Sequence, residues 1–127
     1  MDSRVLDDWL VELTRRKWTH FYWPGTDEPN AMASVFRWDG YADVVALFPE
    51  QDAYAYRAPV TEHADPFNPA FVLWVYGGDP VWTIRGLLAL SPPGSPHAPV
   101  VPMTAPPVCW VLPSVISKSR GVVMRRT

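Results

Sequence analysis

Apolar residues recur at helical spacing near the start of the chain. At 100° per residue, Val5, Leu6, Trp9, Leu10 and Leu13 share one face, while Asp7, Asp8, Val11 and Arg15 share the other. Asp2 or Ser3 can cap the start, the aspartates favour the positive end, and Arg15, Arg16 and Lys17 favour the negative end. This predicts a surface helix over residues 3–17, with Glu12 and Arg16 spaced for an ion pair.

The period then shortens to two. Residues 19–23 are strand formers stopped by Pro24-Gly25, and residues 26–30 form a polar turn. Residues 32–38 and 41–48 flank Asp39-Gly40, a strong hairpin signal whose type I′ turn needs positive φ at both central residues. That register pairs Trp38 with Tyr41, Phe36 with Asp43, Ser34 with Val45 and Met32 with Leu47 on one face. Arg37/Ala42, Val35/Val44 and Ala33/Ala46 share the other, so neither face is cleanly polar. Residues 53–58 read as a short helix opened by Pro49-Glu50-Gln51-Asp52 or as a strand, since Tyr54 and Tyr56 alternate and Pro59 ends either; strand is the preferred reading. Residues 61–69 read as loop, and Phe71 to Tyr76 is apolar throughout, as in a strand buried on both faces. Asp79-Pro80 supplies an N-cap and a first-turn proline for a second helix over residues 81–90. Its core side is expected at Val81, Ile84, Leu87 and Leu88, with Trp82, Arg85 and Ala89 on a flank.

Eight of the 15 prolines lie in residues 92–113, which excludes regular helix or central strand there. Their spacers, including Val100, Val101, Met103, Val108, Trp110 and Leu112, are too apolar for a free linker, so this stretch reads as an extended arm packed on the sheet. Residues 115–123 add a last strand or stay loose. The expected fold is α+β: an antiparallel sheet of four to five strands, an N-terminal helix, a second helix after the last core strand, and a Pro-rich C-terminal arm. Residues 1–91 form the core, and 92–127 the arm and basic tail of the same domain. Both sheet faces need cover. Helix and arm provide it within one chain, or a homodimer does.

Composition narrows the class. A chain of 127 residues with 48% apolar content folds rather than staying disordered. No apolar run approaches the roughly 18 residues of a membrane span, and the first residues lack a signal-peptide layout. The single cysteine, Cys109, fits a reducing compartment, so a cytoplasmic location is expected. Nine arginines against two lysines, with two isoleucines, give a composition that resembles the GC-rich coding of actinomycete bacteria. The net charge of −2 hides a split. Residues 1–79 carry thirteen acids and six bases (−7), and residues 80–127 carry five bases and no acid (+5). The tail bases Lys118, Arg120, Arg125 and Arg126 would contact an acidic body or an anionic partner, but they are thin for nucleic-acid binding.

No catalytic or nucleotide motif is present. Gly77-Gly78 precedes a helix without GxGxxG or GK[ST], and Cys109 between Val108 and Trp110 reads as an inert buried thiol. His63-Ala64-Asp65 offers two ligands without a third, so no metal and no cofactor are expected. Asp43 on an apolar strand needs a partner among Arg37, Arg57 and Arg85. The leading expectation is a non-catalytic cytosolic accessory protein. It would bind a protein partner or small ligand through an aromatic surface of Trp23, Trp38, Trp82 and Trp110, with Arg85 as charged contact. The alternative is a small enzyme on an apolar or aromatic metabolite, with His20 as base and Asp43 and Arg57 orienting it or the substrate. That version requires the three side chains to converge.

Overall fold

The computed structural model describes residues 3–23, 31–48, 52–61, 64–113 and 123–126. Helix α1 (Ser3–Arg15) ends at Lys17, whose φ of 72° is left-handed. The amides of Lys17 and Trp18 bond back to the carbonyls of Thr14 and Leu13, closing the last turn where glycine is the usual residue. This sharp exit sets Trp18 at the head of β1 (Thr19–Trp23).

Strands β2 (Ala31–Trp38) and β3 (Tyr41–Leu47) form the expected hairpin, with every pair from Trp38–Tyr41 to Met32–Leu47 in the expected register. The turn differs from expectation. Only Gly40 has positive φ (82°), so it is not type I′, and the Gly40 carbonyl accepts from the Val60 amide. Residues 53–59 are strand, β4 (Ala53–Pro59). The run from Phe71 does not make one strand buried on both faces. It breaks at Leu73 into β5 (Phe71–Val72) and β6 (Trp74–Gly78), with Phe71 and Tyr76 exposed. β6 pairs with β4, whereas β5 leaves the sheet to pair with β7 (Met103–Thr104) in the arm. Helix α2 (Pro80–Leu88) starts as expected, with the Asp79 carboxylate accepting from the Trp82 amide. It buries Pro80, Thr83, Ile84 and Leu87, while Val81 and Leu88 are only half-buried.

The main sheet runs β6-β4-β3-β2-β1-β8, where β8 (Val123–Arg126) lies antiparallel beside β1. A five-stranded meander thus gains a sixth strand from the chain's end. The strand sought at residues 115–123 therefore begins only at Val123, and residues 114–122 lie outside the described ones.

Alternation separates two cores. On one face Val45, Leu47, Ala53 and Ala55 pack under α1 and α2 through Leu13, Trp18, Ile84 and Leu87. On the other, Ala33, Val35, Ala42, Val44, Ala46, Tyr54, Tyr56 and Ala58 pack under Phe67, Val72, Ala105, Cys109 and Leu112. Helices and arm together cover both faces, so no second copy is needed for that purpose. The arm attaches through small or deeply set residues: Ala98, Ala105, Cys109 and Leu112 are buried, whereas Val100, Val101, Met103, Val108, Trp110 and Val111 stay exposed. A buried hydroxyl pins it, since Tyr54 Oη accepts from the Leu112 amide at 3.1 Å and donates to the Cys109 carbonyl at 3.4 Å.

If Leu112 anchors the arm, Leu112→Ala should lower stability in urea unfolding by about 2–5 kcal/mol. Val101→Ala, at 73% exposure, should change it by less than about 0.5 kcal/mol.

Candidate functional site

Pleating puts Asp43 and Arg57 directly opposite each other on β3 and β4, on the helix-covered face. Both are buried, Arg57 to 1% exposure. The guanidinium donates through Nε to Oδ1 at 2.7 Å and through Nη2 to Oδ2 at 2.9 Å, the bidentate geometry that Arg and carboxylate favour. Its Nη1 donates to the Ser91 carbonyl at 2.6 Å, tying the segment after α2 to the sheet. Trp38, two residues beyond the partner of Asp43 on β2, donates its indole N–H to Oδ2 at 3.0 Å. Its ring centroid lies 5.8 Å from the guanidinium carbon. Of five guanidinium N–H groups, three reach acceptors among the described residues and two do not.

This ion pair closes the floor of a cavity of about 260 Å³. The row Trp18–Phe36–Trp38 forms one wall, with centroids 5.7 and 4.9 Å apart. Leu87, Leu88, Leu90 and Pro92 form the other, and Arg16 stands at the rim. Arg16 and Arg15 both hydrogen-bond Glu12, and those bonds hold the Glu12 carboxyl down to about 2. The expected Glu12–Arg16 pair is therefore present, widened to include Arg15.

A second depression, open and about 550 Å³, adjoins the cavity and shares Arg16 and Leu88 with it. Trp9, Tyr76, Trp82, Arg85, Gly86 and Ala89 complete it. Trp82 is 59% exposed with the Arg85 guanidinium 4.6 Å above its ring. Three of the five residues proposed for an aromatic surface, Trp38, Trp82 and Arg85, thus line neighbouring hollows on the helix side.

The other two lie elsewhere. Trp23 is a core residue at 1% exposure, stacked near Phe21 and edge-on to Phe67, and its buried indole N–H has no partner among the described residues. Trp110 is half exposed on the 3-10 turn Pro107–Trp110, in the arm on the opposite side of the sheet. The triad of His20, Asp43 and Arg57 does not assemble. His20 is two strands and two residues away from Asp43, about 12 Å between Cα atoms from strand geometry. Its ring nitrogens are taken up by Ser34 Oγ at 2.6 Å and Thr14 Oγ1 at 2.8 Å, so it ties the end of α1 to β1 and β2. Burial lowers the His20 pKa and favours the neutral ring.

Of the candidate partners for Asp43, Arg57 is the one it meets. Arg37 is exposed and reaches the Ala64 carbonyl, and Arg85 sits on Trp82. Cys109 is buried, and burial pushes its thiol up to about 11, in keeping with an inert group. His63 lies outside the described residues, among which no group of three metal-capable side chains occurs. The tail bases Lys118 and Arg120 also lie outside them. Arg16, Trp18 and Phe36 line the cavity without having been named as site residues, and the Ser91 carbonyl holds Arg57 without belonging to that lining. A tryptophan just after a helix end was the available hint for Trp18, whereas a backbone carbonyl leaves no sequence signal. No family model, no curated protein and no solved structure matches the chain.

Removing one member of the buried pair strands the other charge. Asp43→Ala should cost about 3–5 kcal/mol in urea unfolding, while the double change Asp43→Leu with Arg57→Met should cost far less than the two single changes added. His20 sets a pH dependence. Its folded pKa lies below the ordinary value of 6.5, so the unfolded chain binds the proton more readily and stability falls as pH drops through that region. Unfolding free energies measured from pH 8 to about pH 5 should show this fall, and His20→Gln should flatten it.

Proposed function

We propose that the protein is a non-catalytic binding protein whose ligand site is the cavity between the helices and the Asp43–Arg57 pair. The observation that carries this is an ionised floor with unused donors under aromatic walls, since small-molecule sites combine mostly apolar walls with a few placed polar groups. Asp43 cancels the charge of Arg57, so the floor suits an uncharged molecule better than an anion. The class is a small ring compound bearing a carbonyl-type acceptor, with the acceptor on Arg57 and the ring against Trp38 and Phe36. At about 260 Å³ the space takes one ring system rather than a long chain.

An enzymatic reading lacks a base here: His20 is outside the cavity, and Asp43 already accepts three hydrogen bonds. An accessory role in the cytoplasm fits the lone cysteine. Trp82 under Arg85 favours a second contact, with another protein, on the adjoining groove.

A library of small cyclic amides, imides and aromatic carbonyl compounds, screened by NMR, tests the ligand class. Binding should shift the Trp38 indole N–H resonance and raise the melting temperature. Leu90→Trp should fill the cavity and abolish both effects, and the Asp43→Leu/Arg57→Met double variant should lose affinity at least tenfold while remaining folded. Hits that leave the Trp38 resonance unmoved, or no hits at all, would count against this site.

A further inference from the structure

The open hollow of about 550 Å³ beside the cavity is built from both helices. Trp9 and Arg16 reach it from the α1 side, roughly 10 Å apart along the helix axis. Trp82, Arg85 and Ala89 share one face of α2 at the helical three-and-four spacing. Tyr76 joins them from β6, stacked on Trp74, and a Cβ at Gly86 would stand 3.4 Å from the Trp74 ring, so the glycine lets α2 settle on that stacked pair. The charge here is one-sided: no acid lines the hollow, and both of its bases are exposed. Arg15 holds both oxygens of Glu12, and Arg16 adds only its Nε, so the three side chains carry one positive charge in excess. Arg85 lies over the Trp82 ring with no acceptor for its N–H groups among the described residues. A guanidinium held on an aromatic face keeps its N–H fork for a carboxylate. Asp8 and Glu12 line a neighbouring hollow that shares Trp9 and Arg16, which leaves Arg85 as the more positive end.

We infer that this hollow receives an acidic segment of another protein, with one carboxylate on Arg85, its negative charge extending toward Arg16, and an aromatic side chain among Trp9, Tyr76 and Trp82. The protein contact already proposed for the groove thereby gains a stated chemistry, and the acidic segment rests on that proposal. Charge complementarity selects the occupant, since two exposed bases without a matching acid in the lining favour an acidic surface over a neutral or basic one. Shape favours a protein over a small anion. Small-molecule sites bury most of their ligand, which an open hollow does not do. Five of the eight lining residues are Trp, Tyr or Arg, the types that carry most of the energy at protein interfaces. A second copy docked symmetrically through the same face would bring the same arginines together, so the segment belongs to a different chain. The distance between Trp9 and Arg16 matches about three residues of extended backbone.

A phage-displayed library of random heptapeptides, panned on the full-length protein, should enrich Asp and Glu beside an aromatic residue. Resynthesised, the selected peptides should shift the Trp9 and Trp82 indole N–H resonances and bind more weakly as salt is raised. Arg85→Gln alters an exposed position and should lower their affinity about tenfold with unchanged circular dichroism. Glu12→Gln releases Arg16 and should tighten binding by about two- to fivefold, a gain that damage to the fold would not produce. Leu90→Trp fills the neighbouring cavity and should leave peptide binding unchanged, so the cavity ligand and the acidic segment are tested separately. Selected peptides that move Trp82 but carry no acid would keep the protein contact and overturn its acidic character. No enrichment, peptides that leave Trp82 unmoved, or affinities indifferent to both Arg85→Gln and Glu12→Gln would overturn the acidic segment. So would 3-phenylpropionate binding as tightly as the peptides, or a wild-type dimer that Arg85→Glu dissociates.

Discussion

A strand covered on both faces offers no water to a charge, yet β3 and β4 each carry one at the same level of the sheet. Asp43 and Arg57 tolerate burial because they neutralise each other in two short bonds, and Trp38 and the Ser91 carbonyl take up further capacity. Such a pair adds little net stability compared with apolar residues of the same volume. Its consequence is register. A slip of β4 by two residues would set Asp43 against Ala55 or Pro59 and leave two unpaired charges in the core, several kcal/mol uphill. The same bonds anchor the segment leaving α2 and orient the Trp38 ring, so the pair also shapes the cavity above it.

How far the sequence disclosed this depends on whether a signal was local. The hairpin register was legible because one dipeptide and period-two alternation determine it, even though Asp39 declined the positive φ that the expected turn required. The cap at Asp79 was legible for the same reason. The break at Leu73 was not. Its amide bonds to the Arg57 carbonyl from the neighbouring strand, so tertiary pairing divides a run that is uniformly apolar in sequence. The arm misled differently. Hydrophobicity favours its valines for burial, but Trp23, Tyr54, Tyr56 and Phe67 already occupy the face beneath, and the arm residues packed with them are Ala105, Cys109 and Leu112.

The site was half legible. An acid among apolar strand positions demanded a partner, and the candidates included the right arginine. His20 raised the same suspicion and resolved otherwise, because Thr14 and Ser34 hydroxyls stood within reach and the ring became a strut between α1 and the sheet. Isolated polar residues on apolar strands look alike in sequence. Only the neighbours across the sheet separate a buried brace from the floor of a cavity.

None of the seven tryptophans lies on β3 or β4. Those strands mix Ala42, Ala46, Ala53, Ala55 and Ala58 with the buried Tyr54 and Tyr56, and the indoles are placed around them, toward the margins. Trp18 and Trp23 fill margins deep enough to bury them, and Trp9, Trp38 and Trp74 fill shallower ones. A ring placed at the edge of a small domain runs out of protein before it runs out of surface. Trp38 therefore walls a cavity, and Trp82 lies open near Tyr76 of the edge strand β6. The aromatic hollows on the helix side are thus walled in part by Trp9, Trp38 and Trp82, side chains of the fold's own helices and strands, so the proposed site needs no element dedicated to it.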